Sequence, residues 1–69
     1  MYKVKINYCN DTAWYDDEPI YTELPQIPKK NDGIGFWHEK EWTIGTVQYV
    51  IYELDENNKF MLAEINVSF

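Results

Sequence analysis

Sixty-nine residues with twelve carboxylates against six lysines carry a net charge of −6, and the chain has no arginine. That balance excludes a nucleic-acid binder that tracks the backbone with a basic stripe, and it disfavours anionic membrane surfaces. The one cysteine, Cys9, excludes an intramolecular disulfide scaffold and reads as a small apolar residue in a reducing cytosol.

A chain of this length buries only about 60 % of the surface its unfolded form exposes. A single domain over residues 1–69 therefore needs a dense core or a partner. Aromatic residues at 17 % supply the first, because each buried ring removes roughly 150–250 Å² from water. Homodimerisation would supplement it. The N-terminal MYKVKINY has no apolar run of signal-peptide length, and nothing approaches the roughly 20 apolar residues of a membrane span. The expected location is cytoplasmic.

In chain order, residues 1–8 alternate. Tyr2, Val4, Ile6 and Tyr8 fall on one face and Lys3, Lys5 and Asn7 on the other, the pattern of a half-buried strand. NDTAWYDDEP, residues 10–19, breaks the pattern and reads as a loop, pinned to the body by Trp14 and Tyr15. IYTELPQIPKK, residues 20–30, begins as a strand and continues as a polyproline-like crossing, because Pro25 and Pro28 fix φ and remove two donors. Asn31-Asp32-Gly33 is turn chemistry.

From Ile34 the spacing predicts a three-stranded meander. Its strands are 34–37, 41–54 and 59–69, with a polar turn at 55–58. The long segment changes phase: Trp42 and Ile44 share one parity, while Val47, Tyr49 and Ile51 share the other. A β-bulge near Gly45 accounts for this. A long bent strand serving two sheets is how small barrels turn corners. The expected fold is all-β, a small antiparallel and partly open barrel of about five strands.

LPQIPKKNDGIGF followed by WTIGTVQYVIYEL resembles a pattern in small uncharacterised bacterial and phage proteins, L-P-x-I-P-x-x-G-D-x-I-x-F and then an aromatic-x-V-x-x-V segment. Leu24, Pro25, Ile27, Pro28, Asp32, Ile34, Phe36, Trp42, Ile44 and Val47 carry the match, and Asn31 stands where the pattern has glycine. Asn also enters the left-handed region. The resemblance implies an SH3-like barrel and no defined activity.

Signatures of chemistry are missing. There is no phosphate-binding glycine loop, H-E-x-x-H, G-x-S-x-G or C-x-x-C. An enzyme would have to use Cys9 or His38, and His38 near a hairpin tip reads as a solvated imidazole. Asp16, Asp17 and Glu18 are adjacent carboxylates, whereas calcium loops space their oxygen ligands around a turn. They read as a solvated loop or a contact for a basic partner. The P-x-x-P run at 25–28 has the form of a polyproline ligand, but Leu24 and Ile27 point to a packed crossing.

The aromatics divide by parity. Tyr2, Tyr8, Phe36, Trp42, Tyr49, Phe60 or its neighbours, and Phe69 are expected in the core. Trp37, Tyr52 and Tyr15 are expected outside, where exposed aromatics favour binding. In FWHEKEW, residues 36–42, Phe36 and Trp42 are expected to share the core across a five-residue loop, leaving Trp37 free.

The expected function is a non-enzymatic protein-interaction module without cofactor or metal. Its binding residues are Trp37, Tyr52, Tyr15, Asp16, Asp17 and Glu18, facing a basic protein partner. A phage or mobile-element protein acting on a host factor fits the size and the resemblance. The alternative is a nucleic-acid-associated barrel that stacks bases on aromatics, or an acidic mimic of nucleic acid.

Overall fold

The structure, a computed structural model, describes residues 1–9 and 18–69, with Cys9 described through its backbone alone. Strands β1 (Tyr2–Cys9), β2 (Ile20–Leu24), β3 (Gly33–His38), β4 (Glu41–Leu54) and β5 (Phe60–Ser68) form one sheet. Their order is β2-β1-β5-β4-β3, curled into an open half-barrel. The fold is all-β as expected, and in strand number and curl it is consistent with a small SH3-like barrel.

The sheet is mixed rather than purely antiparallel. β1 runs parallel to β5, with Val4 opposite Ala63 and Cys9 opposite Ser68, while β1–β2, β3–β4 and β4–β5 are antiparallel. Alternation specifies which face of β1 and β5 is buried but is silent on strand direction. Parallel neighbours need a long connection, and here everything between β1 and β5 serves as one.

One face of the curl holds the core. Val4 and Ile6 of β1, Phe36 of β3, Val47 of β4, and Ala63, Ile65 and Val67 of β5 are buried there. Tyr8, Ile20, Leu24, Ile27, Ile34, Val50 and Phe69 close its rim. Leu24 and Ile27 anchor the crossing segment as the sequence suggests, so its prolines stiffen a packed strap. The strap ends in a turn where Lys29 N donates to Asp32 Oδ2 at 2.8 Å and Asp32 N donates to Lys29 O at 3.0 Å. Asn31 has φ 77° there, the left-handed geometry that a glycine would otherwise supply.

β4 has the expected span and the expected phase change. The register slips between Val47 and Tyr49, so Gln48 is the additional residue and the bulge lies just beyond Gly45. Gly45 itself is buried, and a Cβ there would run into Val67 Cγ1 and stand 2.8 Å from the carbonyl oxygen of Ser68.

The β3–β4 connection differs from the five-residue loop expected at 37–41. His38 pairs with Glu41 and Trp37 with Trp42, leaving Glu39 and Lys40 as a two-residue turn. Both residues have positive φ, 51° and 67°, as a type I′ hairpin turn requires. Asn-Gly is the usual signature of this turn, so Glu-Lys hid it. Two non-glycine residues in the left-handed region carry strain. The double substitution Glu39→Asn with Lys40→Gly should therefore stabilise the domain by about 1 kcal/mol. Thermal melts would register this as a rise of roughly 4–8 °C for a domain of this size.

Candidate interaction face

The tight turn fixes what the hairpin presents. Trp37 and Trp42 sit directly opposite each other with ring centroids 5.5 Å apart at 66°, an edge-on contact. Phe36 points into the core, so Trp37, its neighbour in the strand, points out, and Trp42 points out with it. Trp42 is therefore not a core residue. Its indole lies over Gly35, where a Cβ would collide with the six-membered part of the ring. An aromatic residue covering a cross-strand glycine is a recognised way to stabilise a glycine in a sheet.

The bulge extends this face. Gly45 and Val47 face the core, so Trp42 and Ile44 lie outside. A residue inserted at Gln48 then turns Tyr49, opposite Asn66, and Ile51, opposite Glu64, to the same outer side. Without the bulge those two side chains would point inward. Trp37 (66 %), Trp42 (57 %), Ile44 (70 %), Tyr49 (51 %) and Ile51 (48 %) are all well exposed. Together they line one side of the sheet as a run of large exposed apolar groups. The phase change legible in the sequence is real, but the apolar set it keeps on one face is on the outside.

Carboxylates stand at both ends of this stripe. Glu39 and Glu41 are exposed at the hairpin tip, and at the other end Glu64 stands opposite Ile51 with Glu53 two residues further on. Glu64 accepts from Asn7 Nδ2 at 3.0 Å and faces Lys5 Nζ at 3.7 Å. Those contacts hold its carboxyl below the ordinary range, the Asn7 hydrogen bond first, then the one with Glu53. Glu53 is raised, chiefly by its hydrogen bond to Glu64, then by desolvation and by repulsion from Glu64. Of the two carboxyls, Glu53 is the one that holds its proton more tightly.

The opposite directions set a pH dependence. The raised Glu53 contributes stability that is fully present below its unfolded pKa and is lost as pH rises through the folded one. The lowered Glu64 contributes stability that is present above its unfolded pKa and lost as pH falls through the folded one. Glu53→Gln keeps a donor toward Glu64 with no proton to lose. Melting points of the variant and the parent should agree below the ordinary value of 4.5, with the variant melting higher at neutral pH. A constant difference across the series would remove the shared proton.

The residues expected from the sequence to form one site do not come together. Tyr52 pairs with buried Ala63 and so belongs to the opposite face from Trp37. There it meets Phe60, which also contacts Tyr2. Tyr52 and Tyr2 border an open cleft of 530 Å³ with Pro25, Gln26, Ile27 and Lys29. Glu18 is exposed just ahead of β2. Tyr15, Asp16 and Asp17, with Trp14, lie outside the described residues, as does the side chain of Cys9. Tyr2, Tyr49 and Phe60 are more exposed than core residues, contrary to expectation.

His38 is not a solvated tip residue. Its side chain is 15 % exposed and packs on Tyr8 at 5.1 Å and Phe69 at 5.3 Å, so it closes the end of the core. Its phase with Ile34 and Phe36 was the available signal. Among the described residues no three His, Cys, Asp or Glu side chains gather to hold a metal, and no helix is long and apolar enough to cross a membrane. Comparison with family models, curated proteins and solved structures gives no match.

Proposed function

We propose that the protein is a non-enzymatic interaction module whose contact surface is the outer face of the β3–β4 hairpin. The observation that supports this reading is the alignment of Trp37, Trp42, Ile44, Tyr49 and Ile51, all exposed, on one side of the sheet. Tryptophan and tyrosine are the residue types that dominate binding energy at protein interfaces. The partner is a basic protein. Glu39, Glu41, Glu53 and Glu64 at the ends of the stripe, together with a net charge of −6, suit an apolar patch rimmed by lysine or arginine. The resemblance to small bacterial and phage proteins with SH3-like barrels belongs to the same reading and makes a host factor the natural candidate.

Immobilised protein should retain a basic partner from lysate that Trp37→Ala and Ile44→Lys both lose. Tyr52→Ala, on the opposite face, should retain it. Equal capture by all three variants would sink the proposed face, as would capture that depends on Tyr52 alone. Recovery of nucleic acid rather than protein would replace the reading with a base-stacking one.

A further inference from the structure

β3 is an edge strand, and the hairpin turn fixes which of its backbone groups are unspent. Val47 N donates to Asp32 O at 2.9 Å, so the 32/47 pair is a hydrogen-bonded one. Directly opposed residues alternate between bonded and non-bonded pairs along an antiparallel ladder. Ile34, Phe36 and His38 therefore spend their N–H and C=O groups on β4. Gly33, Gly35 and Trp37 turn theirs away from it.

Edge strands are usually guarded by charge, proline or a bulge. The other edge, β2, carries Glu23 and is bracketed by Pro19 and Pro25. β3, GIGFWH, has no proline, lysine or carboxylate along its length.

Among the described residues nothing accounts for the glycine at 33. Its φ is not positive, and a Cβ there would find its nearest neighbour 3.9 Å away. A Cβ there meets no clash, and a β-branched residue would favour the strand. Gly35, in contrast, is needed beneath Trp42.

We propose that β3 pairs antiparallel with β3 of a second copy about a two-fold axis at Gly35. Gly35 then faces Gly35 of the second copy, and Trp37 faces Gly33 of the second copy in both directions, as an isologous contact demands. Each exposed indole covers a glycine across the new strand pair, as Trp42 covers its diagonal neighbour Gly35 within the chain. The same register sets the Lys29–Asp32 turn of one copy beside the His38–Glu41 tip of the other, a net positive segment against a net negative one. The pairing is independent of the outer-face reading, and it joins the two tryptophan pairs into one larger platform. One strand pair with two indoles buries less than the roughly 1,200 Å² of a standard stable interface, so the dimer depends on concentration.

Light scattering on wild-type protein should give a molar mass rising from 8.3 kDa toward twice that value as concentration increases. Amide exchange at Gly35 and Trp37 should slow in parallel, while the β2 edge is unaffected. Gly33→Val should melt no lower than wild type, yet its dimer should weaken by roughly tenfold or more. Ile44→Lys, on the outer face but off the edge, should dimerise as wild type does. Should Gly33→Val fold poorly, Trp37→Lys serves the same purpose by charging the edge. A wild type that stays monomeric at every concentration overturns the proposal, showing the edge closed from within the chain. So does undiminished dimerisation of both Gly33→Val and Trp37→Lys, or loss of the dimer in Ile44→Lys.

Discussion

Gly45→Ala lowers the stability of the domain by about 1–3 kcal/mol, the usual cost of over-packing a filled interior. The added methyl would overlap Val67 Cγ1 and press within 2.8 Å of the Ser68 carbonyl oxygen. Val67 is itself 2 % exposed and has nowhere to retreat, and the Ser68 oxygen belongs to a central strand. Cores of domains this small rarely supply more than about 3–5 kcal/mol in total, so the loss takes a large share of the net stability. Urea or thermal midpoints measured beside Gly33→Ala give the control, because a Cβ at Gly33 meets nothing nearer than 3.9 Å. Equal midpoints for the two variants would mean that close approach does not dictate the glycine at 45.

Phe36→Ala costs about 3–5 kcal/mol, enough to unfold much of the population. Phe36 is 5 % exposed and packs on Tyr8 at 5.0 Å and Phe69 at 5.7 Å. Its removal opens a cavity among rings that His38 also closes. Trp37→Ala, one residue along, removes a larger side chain but only an edge-on contact with Trp42, worth about 0.5–1.5 kcal/mol beyond the area it covers. Chemical denaturation of the two variants therefore separates the faces of β3 directly. A loss at Trp37 as large as that at Phe36 would place the indole in the core.

Both substitutions probe distinctions that sequence reading resolved unevenly. The spans of β1, β4 and β5 were legible because alternating apolar runs, ended by Asn10-Asp11 after β1 and by Asp55–Asn58 between β4 and β5, leave few other conformations. The Asp55–Asn58 turn followed from the same chemistry, with Asp55 Oδ1 accepting from Asn57 N at 2.8 Å and Lys59 N at 3.0 Å. The choice of face on β4 was not legible. Aromatic and branched residues were expected inside, yet the interior positions of β4 near the bulge are Gly45 and Val47, small enough for a tightly curled sheet. Trp42, Ile44, Tyr49 and Ile51 form the larger apolar set and lie outside, so hydrophobic bulk pointed the wrong way. The candidate site was legible only at Trp37, whose parity against Phe36 is unambiguous. Tyr52 has outer-face parity only if the bulge is placed at Gly45, and moving it to Gln48 brings that ring to the core side. The parallel pairing of β1 with β5 left no trace in either strand, since direction does not alter alternation.

The strand order has a further consequence for how the molecule holds together. β1–β2 and β3–β4 are each joined within themselves, and β5 is the strand that lies between them. Taken away, it leaves two strand pairs with no ladder in common among the described residues. The exposed turn at Asn57 and Asn58 is thus the point at which a single backbone cut would free the short keystone from flanks that stay joined by the strap and by the contact of Tyr8 with Phe36. Supplied separately as a peptide, β5 would have to enter between two edges at once, with opposite strand directions on its two sides. Reassembly of such a split chain would report completion of the whole sheet rather than of any one pair of strands.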